Sequence, residues 1–162
     1  KFQFLGYWDA DLATPLSTIP EFIGKFQNNI SLVAVCGSRI LRLGASIQRS
    51  VVRHYIGRVF ATVASNILNI PVYDTQCGAK LFCTEHAEVI FSEHFISRWF
   101  FDVELFARII ELMGREKTVN SIYEIPLSKW HDQGESKVTW GSIIRTPIDL
   151  FRIYYHYRNR VD

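Results

Sequence analysis

The 162-residue chain is predicted to fold as an α/β domain with a largely parallel or mixed sheet. Three observations predict this: short apolar runs alternate with helical patterns, caps and turn residues punctuate them, and nothing repeats. Hydrophobic residues make up 48% of the chain and aromatics 14%, enough for an ordered core and against disorder. The net charge of +2 gives no electrostatic case for a nucleic-acid partner. Three cysteines (Cys36, Cys77 and Cys83) form no CxxC and leave one over in any pairing, which suits a reducing compartment. No apolar run reaches the length of a membrane-spanning helix.

The elements follow in order. Phe2 to Trp8 reads as a strand running into "YWDADLATP". Thr18, with Glu21 three residues on, reads as a capping box opening a helix to about Gln27. "SLVAVCGSR" is a buried strand ending in Gly37-Ser38-Arg39. Ile47, Val51, Tyr55, Val59, Val63 and Ile67 recur at helical spacing, and Pro71 bounds that helix. "DTQCGAKLF" is a turn feeding a short strand. Thr84 starts a helix through Ile90, and Asp102 starts another to Met113 with Gly114 as its stop. "VNSIYEIPL" is a strand, and "WGSIIRTPIDLFRIYYHY" a final helix.

Asp9 and Asp11 are the first chemical signal. Residues i and i+2 of a strand share a face, so the pair at a strand's C-terminal end aims two carboxylates at one spot. Ligand crevices of open α/β sheets lie at that end. Two hard oxygen ligands suit Mg²⁺ or Mn²⁺, with water and phosphate completing the shell. Turn capping is the alternative reading. A nucleophilic DxDxT of the haloacid-dehalogenase type is a poorer match, because Ala13 stands at the Thr position and Thr14 falls one place late. Arg39, Arg42, Arg49 and Arg53 cluster around the start of the long helix. Cations there oppose the helix dipole unless an anion such as a phosphate is present. A solvated basic face is the plainer alternative.

Taken in order, "DADLAT", "QRSVVR", "DTQCGAKLF", "RWFFDVELF" and "EIPLSKWHDQGESK" resemble the inverting GT-A glycosyltransferases of family 2. The resemblance lies in their dolichyl- or polyprenyl-phosphate hexose synthase branch, of the glucosyl type, and covers nearly the whole chain. It implies a GT-A, Rossmann-like mixed sheet flanked by helices, with residues 1–162 as one domain, the C-terminal part of a GT-A domain incomplete at its N-terminus. It implies that Asp9 and Asp11 bind Mg²⁺ or Mn²⁺ with the donor diphosphate. Arg39, Arg53 and Lys137 match positions that meet donor and acceptor phosphates, and Asp74, Gln76 and Gly78 match the loop under the sugar. Asp102 and Glu104 match the acidic pair at a helix start near the acceptor, with Asp74 and Asp102 as the candidate catalytic groups.

Each residue has a plainer reading as well. Asp102 reads as an N-cap, Asp74 as a turn former, Cys77 as a small buried side chain, and Lys80 as a solvated one. His131 reads as a packed or exposed loop residue.

The implied reaction moves a hexose, glucose by the absence of Gln at position 13, from a nucleoside-diphosphate sugar (UDP-glucose) to a polyprenyl or dolichyl phosphate. The lipid acceptor calls for the cytosolic face of a membrane, plasma or endoplasmic reticulum, although the chain itself reads as soluble. Ile143, Ile144, Ile148, Phe151 and Tyr155 among arginines suit the last helix either to a membrane interface or to ordinary packing against the sheet with a basic outer face. The base pocket of such enzymes precedes the acidic motif, so the chain alone is expected to be inactive. The sheet edge left bare would favour homo-oligomers. The competing expectation is a non-catalytic GT-A-like module for membrane-surface or protein interaction.

Overall fold

A computed structural model describes residues 2–48, 51–131, 140–158 and 160, without the side chains of 51, 53 and 140–146. Four strands make the main sheet in the order β1-β4-β2-β5: β1 (Phe4–Trp8), β2 (Ala34–Ser38), β4 (Ala79–Cys83) and β5 (Ile122–Pro126). β4 runs antiparallel to both β1 and β2, and β2 runs parallel to β5. The sheet is therefore mixed, with one parallel pair rather than a majority. A second sheet pairs β3 (Ser46–Gln48) in parallel with β6 (Lys129–His131), and neither strand shows a periodic sequence signal at three residues.

Strand alternation divides the core between two faces. On one face Ala34, Cys36 and Phe82 pack with α2 (Val51–Leu68), α4 (Phe101–Met113) and α6 (Trp140–Tyr157). On the other, Val35, Ala79, Leu81 and Ile125 pack with Phe22 and Phe26 of α1 (Ile19–Asn28) and with Trp130. Two short helices, α3 (Thr84–Ile90) and α5 (Arg115–Ser121), complete the helical layers.

Several elements depart from the sequence expectation. Thr18 precedes α1 but makes no capping box; its hydroxyl donates to the Pro15 carbonyl at 2.7 Å, closing a 3-10 turn over Leu16–Thr18. The long helix begins at Val51, not Ile47, because Ile47 belongs to β3 and pairs beside Trp130. Its apolar repeat is not its packed side: Tyr55 and Val59 are each 66% exposed, while Ala61, Ala64 and Leu68 are buried. "REKTVNS" forms α5, so the strand expected from Val119 starts at Ile122. Phe100 occupies the N-cap of α4, and Asp102 sits inside its first turn with its carboxylate turned to the sheet.

Glu104 is fully buried, and both its oxygens are engaged. Oε1 accepts from Arg108 Nη2 at 2.8 Å and the Tyr157 hydroxyl at 3.1 Å, and Oε2 accepts from the Ile96 amide at 2.7 Å. Arg108 also donates to the carbonyls of Ile90, Glu93 and His94. This network ties the 90–96 segment to α4 and α6, so Glu104 is a packing hub. Glu104→Ala would leave the largely buried Arg108 guanidinium with carbonyl partners but no counter-charge, and urea denaturation should show a loss of roughly 3–5 kcal/mol.

Candidate active site

The C-terminal ends of β1 and β2 and the N-terminal end of β4 meet at one edge of the sheet, since β4 lies antiparallel between the other two. Asp9 leaves β1 there. Its amide donates to the Gly78 carbonyl at 2.7 Å, and its carboxylate lies directly over Gly78, where any Cβ would overlap it. Gly78 is therefore required by close approach of a side chain, not by its own backbone angles.

Asp11 does not share a strand face with Asp9, because β1 ends at Trp8. The chain turns instead, with the Leu12 amide bonded to the Asp9 carbonyl at 2.9 Å and Leu12 in the left-handed region at φ 53°. Asp11 Oδ1 accepts the Ala13 amide at 3.0 Å. Turn capping and closeness to Asp9 thus coexist. Burial and then the negative charge of Asp11 raise the Asp9 carboxyl above its ordinary range, a repulsion that a divalent cation between them relieves. Two carboxylates, one with both oxygens outside any protein hydrogen bond seen among the described residues, fit a hard cation completed by phosphate and water. Among the described residues no three acidic, His or Cys side chains form a closed metal cage.

Arg39 and Asp74 form a bidentate pair, Nε to Oδ2 at 2.7 Å and Nη2 to Oδ1 at 2.8 Å, with the Arg39 amide also on Oδ2 at 3.0 Å. Burial alone would raise Asp74; the guanidinium outweighs it and holds the carboxyl below its usual range. That contribution to stability is present above the ordinary aspartate range and is lost as pH falls through the depressed value. Trp130 lies 5.5 Å from the same guanidinium. Arg39 thus binds Asp74 and Trp130 rather than standing free for a phosphate.

Glu124, which the sequence reading did not single out, reaches under the same loop from β5. It accepts the amides of Tyr73 at 2.8 Å and Asp74 at 2.9 Å. Gln76 is half-buried and lines a cleft with Arg39, His54, Arg58 and Tyr73.

Asp102 enters from α4, 7% exposed. Lys80 is wholly buried, contrary to the solvated reading, with Nζ 2.5 Å from Asp102 Oδ1 and 2.6 Å from the Cys77 carbonyl. Burial depresses the ammonium, yet the Asp102 carboxylate prevails and keeps it charged. The Tyr7 hydroxyl donates to the same Oδ1. Burial and Asp102 push the Tyr7 phenol far up, so it stays a donor. Cys77 is a buried thiol pushed up to about 11 by burial, in keeping with its plainer reading. His131 is half-buried in β6.

Asp9, Gly78, Asp74, Arg39 and Asp102 are therefore brought to one edge of the sheet, while Glu104 is not. Lys137 and Arg49 lie outside the described residues, and Arg53 is placed only by its backbone in α2. Lys80, Tyr7 and Glu124 were missed, although a lysine inside the apolar "AKLFC" was a usable signal.

No protein-family model matches the chain. Similarity to characterised proteins nonetheless covers almost all of it. A dolichyl-phosphate beta-glucosyltransferase of Trichomonas vaginalis is 30% identical over 154 residues, 93% of this chain and 44% of that protein. Those of Mus musculus and Homo sapiens are 36% and 31% identical over 158 residues, 92% of this chain and 46% of each. The chain is thus similar in sequence to several dolichyl-phosphate beta-glucosyltransferases. It spans about half the length of these curated relatives. Glucosyl-3-phosphoglycerate synthase from Mycobacterium tuberculosis, solved in complex with uridine diphosphate, superposes with a TM-score of 0.65. That match covers 95% of this chain and 50% of the other at 15% identity, and it shows the shared GT-A fold.

The Asp9–Gly78 contact yields a test. In Gly78→Ala the added methyl must displace the Asp9 carboxylate, which can swing away without moving backbone. The melting temperature should fall by only a few degrees, about 1 kcal/mol, while Mn²⁺ binding followed by calorimetry weakens by roughly 10-fold or more.

Proposed function

We propose that these residues form the metal-and-acceptor part of an inverting glycosyltransferase, which moves glucose from UDP-glucose to dolichyl or polyprenyl phosphate. In this reading residues 1–162 are the C-terminal part of a GT-A domain. The observation that carries it is the seating of Asp9 over Gly78, beside Asp11 and on the same sheet edge as Asp74 and Asp102. Similarity to dolichyl-phosphate beta-glucosyltransferases over 93% of the chain supports the substrate classes.

Asp9 and Asp11 would hold Mg²⁺ or Mn²⁺, which when bound neutralises charge developing on the departing diphosphate. Asp9 is the principal ligand, since Asp11 already spends one oxygen on the Ala13 amide. A phosphate acceptor is anionic near neutral pH, so the attacking oxygen needs little help from a base. The remaining work is alignment for attack on the face of the sugar opposite the diphosphate, with inversion. Gly78 and Gln76 line the sugar's position, and the Arg39–Asp74 pair holds their loop. Asp102 orients the acceptor side. Arg53 and Lys137 supply the cationic contacts to phosphate that Arg39 does not.

In this reading the reaction takes place at the cytosolic face of a membrane, where a lipid acceptor and a nucleotide sugar meet. Among the described residues no helix is long and apolar enough to cross a bilayer. Two neighbouring helices nevertheless expose apolar side chains: Val52, Tyr55, Ile56 and Val59 of α2, and Ile148, Phe151 and Tyr155 of α6. Such surfaces suit shallow seating among headgroups, with Arg152 exposed beside them.

Two experiments test the reading. In the full-length protein, Asp9→Asn should cut metal-dependent glucosyl transfer by roughly 100-fold or more, with an unchanged circular dichroism spectrum; undiminished transfer would refute the assignment. Ile56→Asp with Val59→Asp should weaken sedimentation with anionic vesicles by about 10-fold or more while leaving the melting temperature nearly unchanged. Vesicle binding without any transfer by the wild type would favour a non-catalytic surface module.

A further inference from the structure

One row of residues crosses the whole main sheet in register. Tyr7 of β1 stands opposite Lys80 of β4, Lys80 opposite Cys36 of β2, and Cys36 opposite Glu124 of β5. Directly opposed residues share a face, and Tyr7 and Cys36 belong to the core on the α2 and α4 side. The next row on that face, two residues along each strand, is Leu5, Phe82, Ala34 and Ile122. It is entirely apolar. Of these two rows, only the one nearer the loops of the candidate site carries polar side chains.

Each polar member of the row holds a piece of that site. Glu124 binds the amides of Tyr73 and Asp74 at the start of the 73–78 loop. Lys80 binds the Cys77 carbonyl at the loop's end and Asp102 on α4. Tyr7 binds the same Asp102 oxygen from the strand that delivers Asp9.

We propose that Lys80 is a positioning residue: its buried ammonium joins Asp102 of α4 to the backbone of the 73–78 loop, and so fixes the acceptor side relative to the Asp9–Gly78 seat. It touches no substrate. A methionine would fill the same slot without the cost of desolvating an ammonium, and a buried ion pair is weak evidence for stability in itself. What the ammonium adds is a single geometry for two segments that no backbone hydrogen bond connects among the described residues. A buried charge satisfied by one carboxylate and one carbonyl accepts little displacement of either.

This inference rests on the glycosyl-transfer reading for its kinetic consequence but not for its structural one. The experiment uses the full-length protein as wild type, Lys80→Met, Tyr7→Phe and the double variant. Lys80→Met should lower kcat for transfer from UDP-glucose to a short-chain dolichyl phosphate by about 100-fold, with the donor KM within about threefold. Amide hydrogen exchange at Asp9, which bonds the Gly78 carbonyl, should quicken by about 10-fold, while amides of β2 keep their protection. Tyr7→Phe keeps the ring packing on Phe82 and Phe101. It should lower kcat less, and the two losses should not add, because both act through Asp102. Wild-type kcat and wild-type exchange in Lys80→Met, with only a lower melting temperature, would overturn the proposal. Should Lys80→Met fold poorly, a full kcat together with wild-type exchange at Asp9 in Tyr7→Phe would overturn it. Absence of transfer in the wild type would defeat the functional reading alone; the exchange measurement then decides the positioning role by itself.

Discussion

The antiparallel seating of β4 between β1 and β2 is the constraint on which the rest of the arrangement depends. In a wholly parallel sheet the segment before a strand lies at the far end from the loops that follow its neighbours. Reversing β4 brings the 74–78 loop, which precedes it, to the edge where β1 releases Asp9 and β2 releases Arg39. Three segments distant in sequence then share one crevice. The Asp9 amide on the Gly78 carbonyl is the last rung of this pairing, carried one residue past the end of β1.

Charge at that edge is balanced in pairs rather than exposed. Arg39 neutralises Asp74, and Lys80 neutralises Asp102. Asp9 has no such protein partner among the described residues, and both its burial and Asp11 act against its ionised form. An electrostatic imbalance confined to the acidic turn is what a cation-binding position requires, because a cation there removes a repulsion already present. The paired groups act differently, since a bidentate fork and a buried ammonium hold orientation more than they add attraction.

The helical layer separates two roles in the same way. The inner sides of α4 and α6 close the core, and Glu104 with Arg108 and Tyr157 satisfies the polar groups that this closure buries. The outer sides of α2 and α6 carry valine, isoleucine and aromatic side chains into solvent. That exposed apolar surface is the one the proposed membrane seating uses.

The sequence alone was sufficient for the α/β class, for α1, β2, α3 and α6, and for the motif order that carries the resemblance, because periodicity and local spacing carry that information. It also singled out Asp9, Gly78, Asp74 and Asp102, which the structure brings to one sheet edge. It could not assign Glu104 to packing, because residues two apart on a helix point to nearly opposite sides and only the position of the sheet says which side faces the crevice. It misread Lys80 as solvated and left Tyr7 and Glu124 unmarked. Their role comes from strand order and register, which put residues 7, 80, 36 and 124 in one row. It likewise read Asp9 and Asp11 as sharing a strand face, whereas the strand ends at Trp8 and a turn takes over. Those decisions belong to the tertiary structure, since which strands pair, and in which direction, depends on contacts between segments that local sequence does not encode.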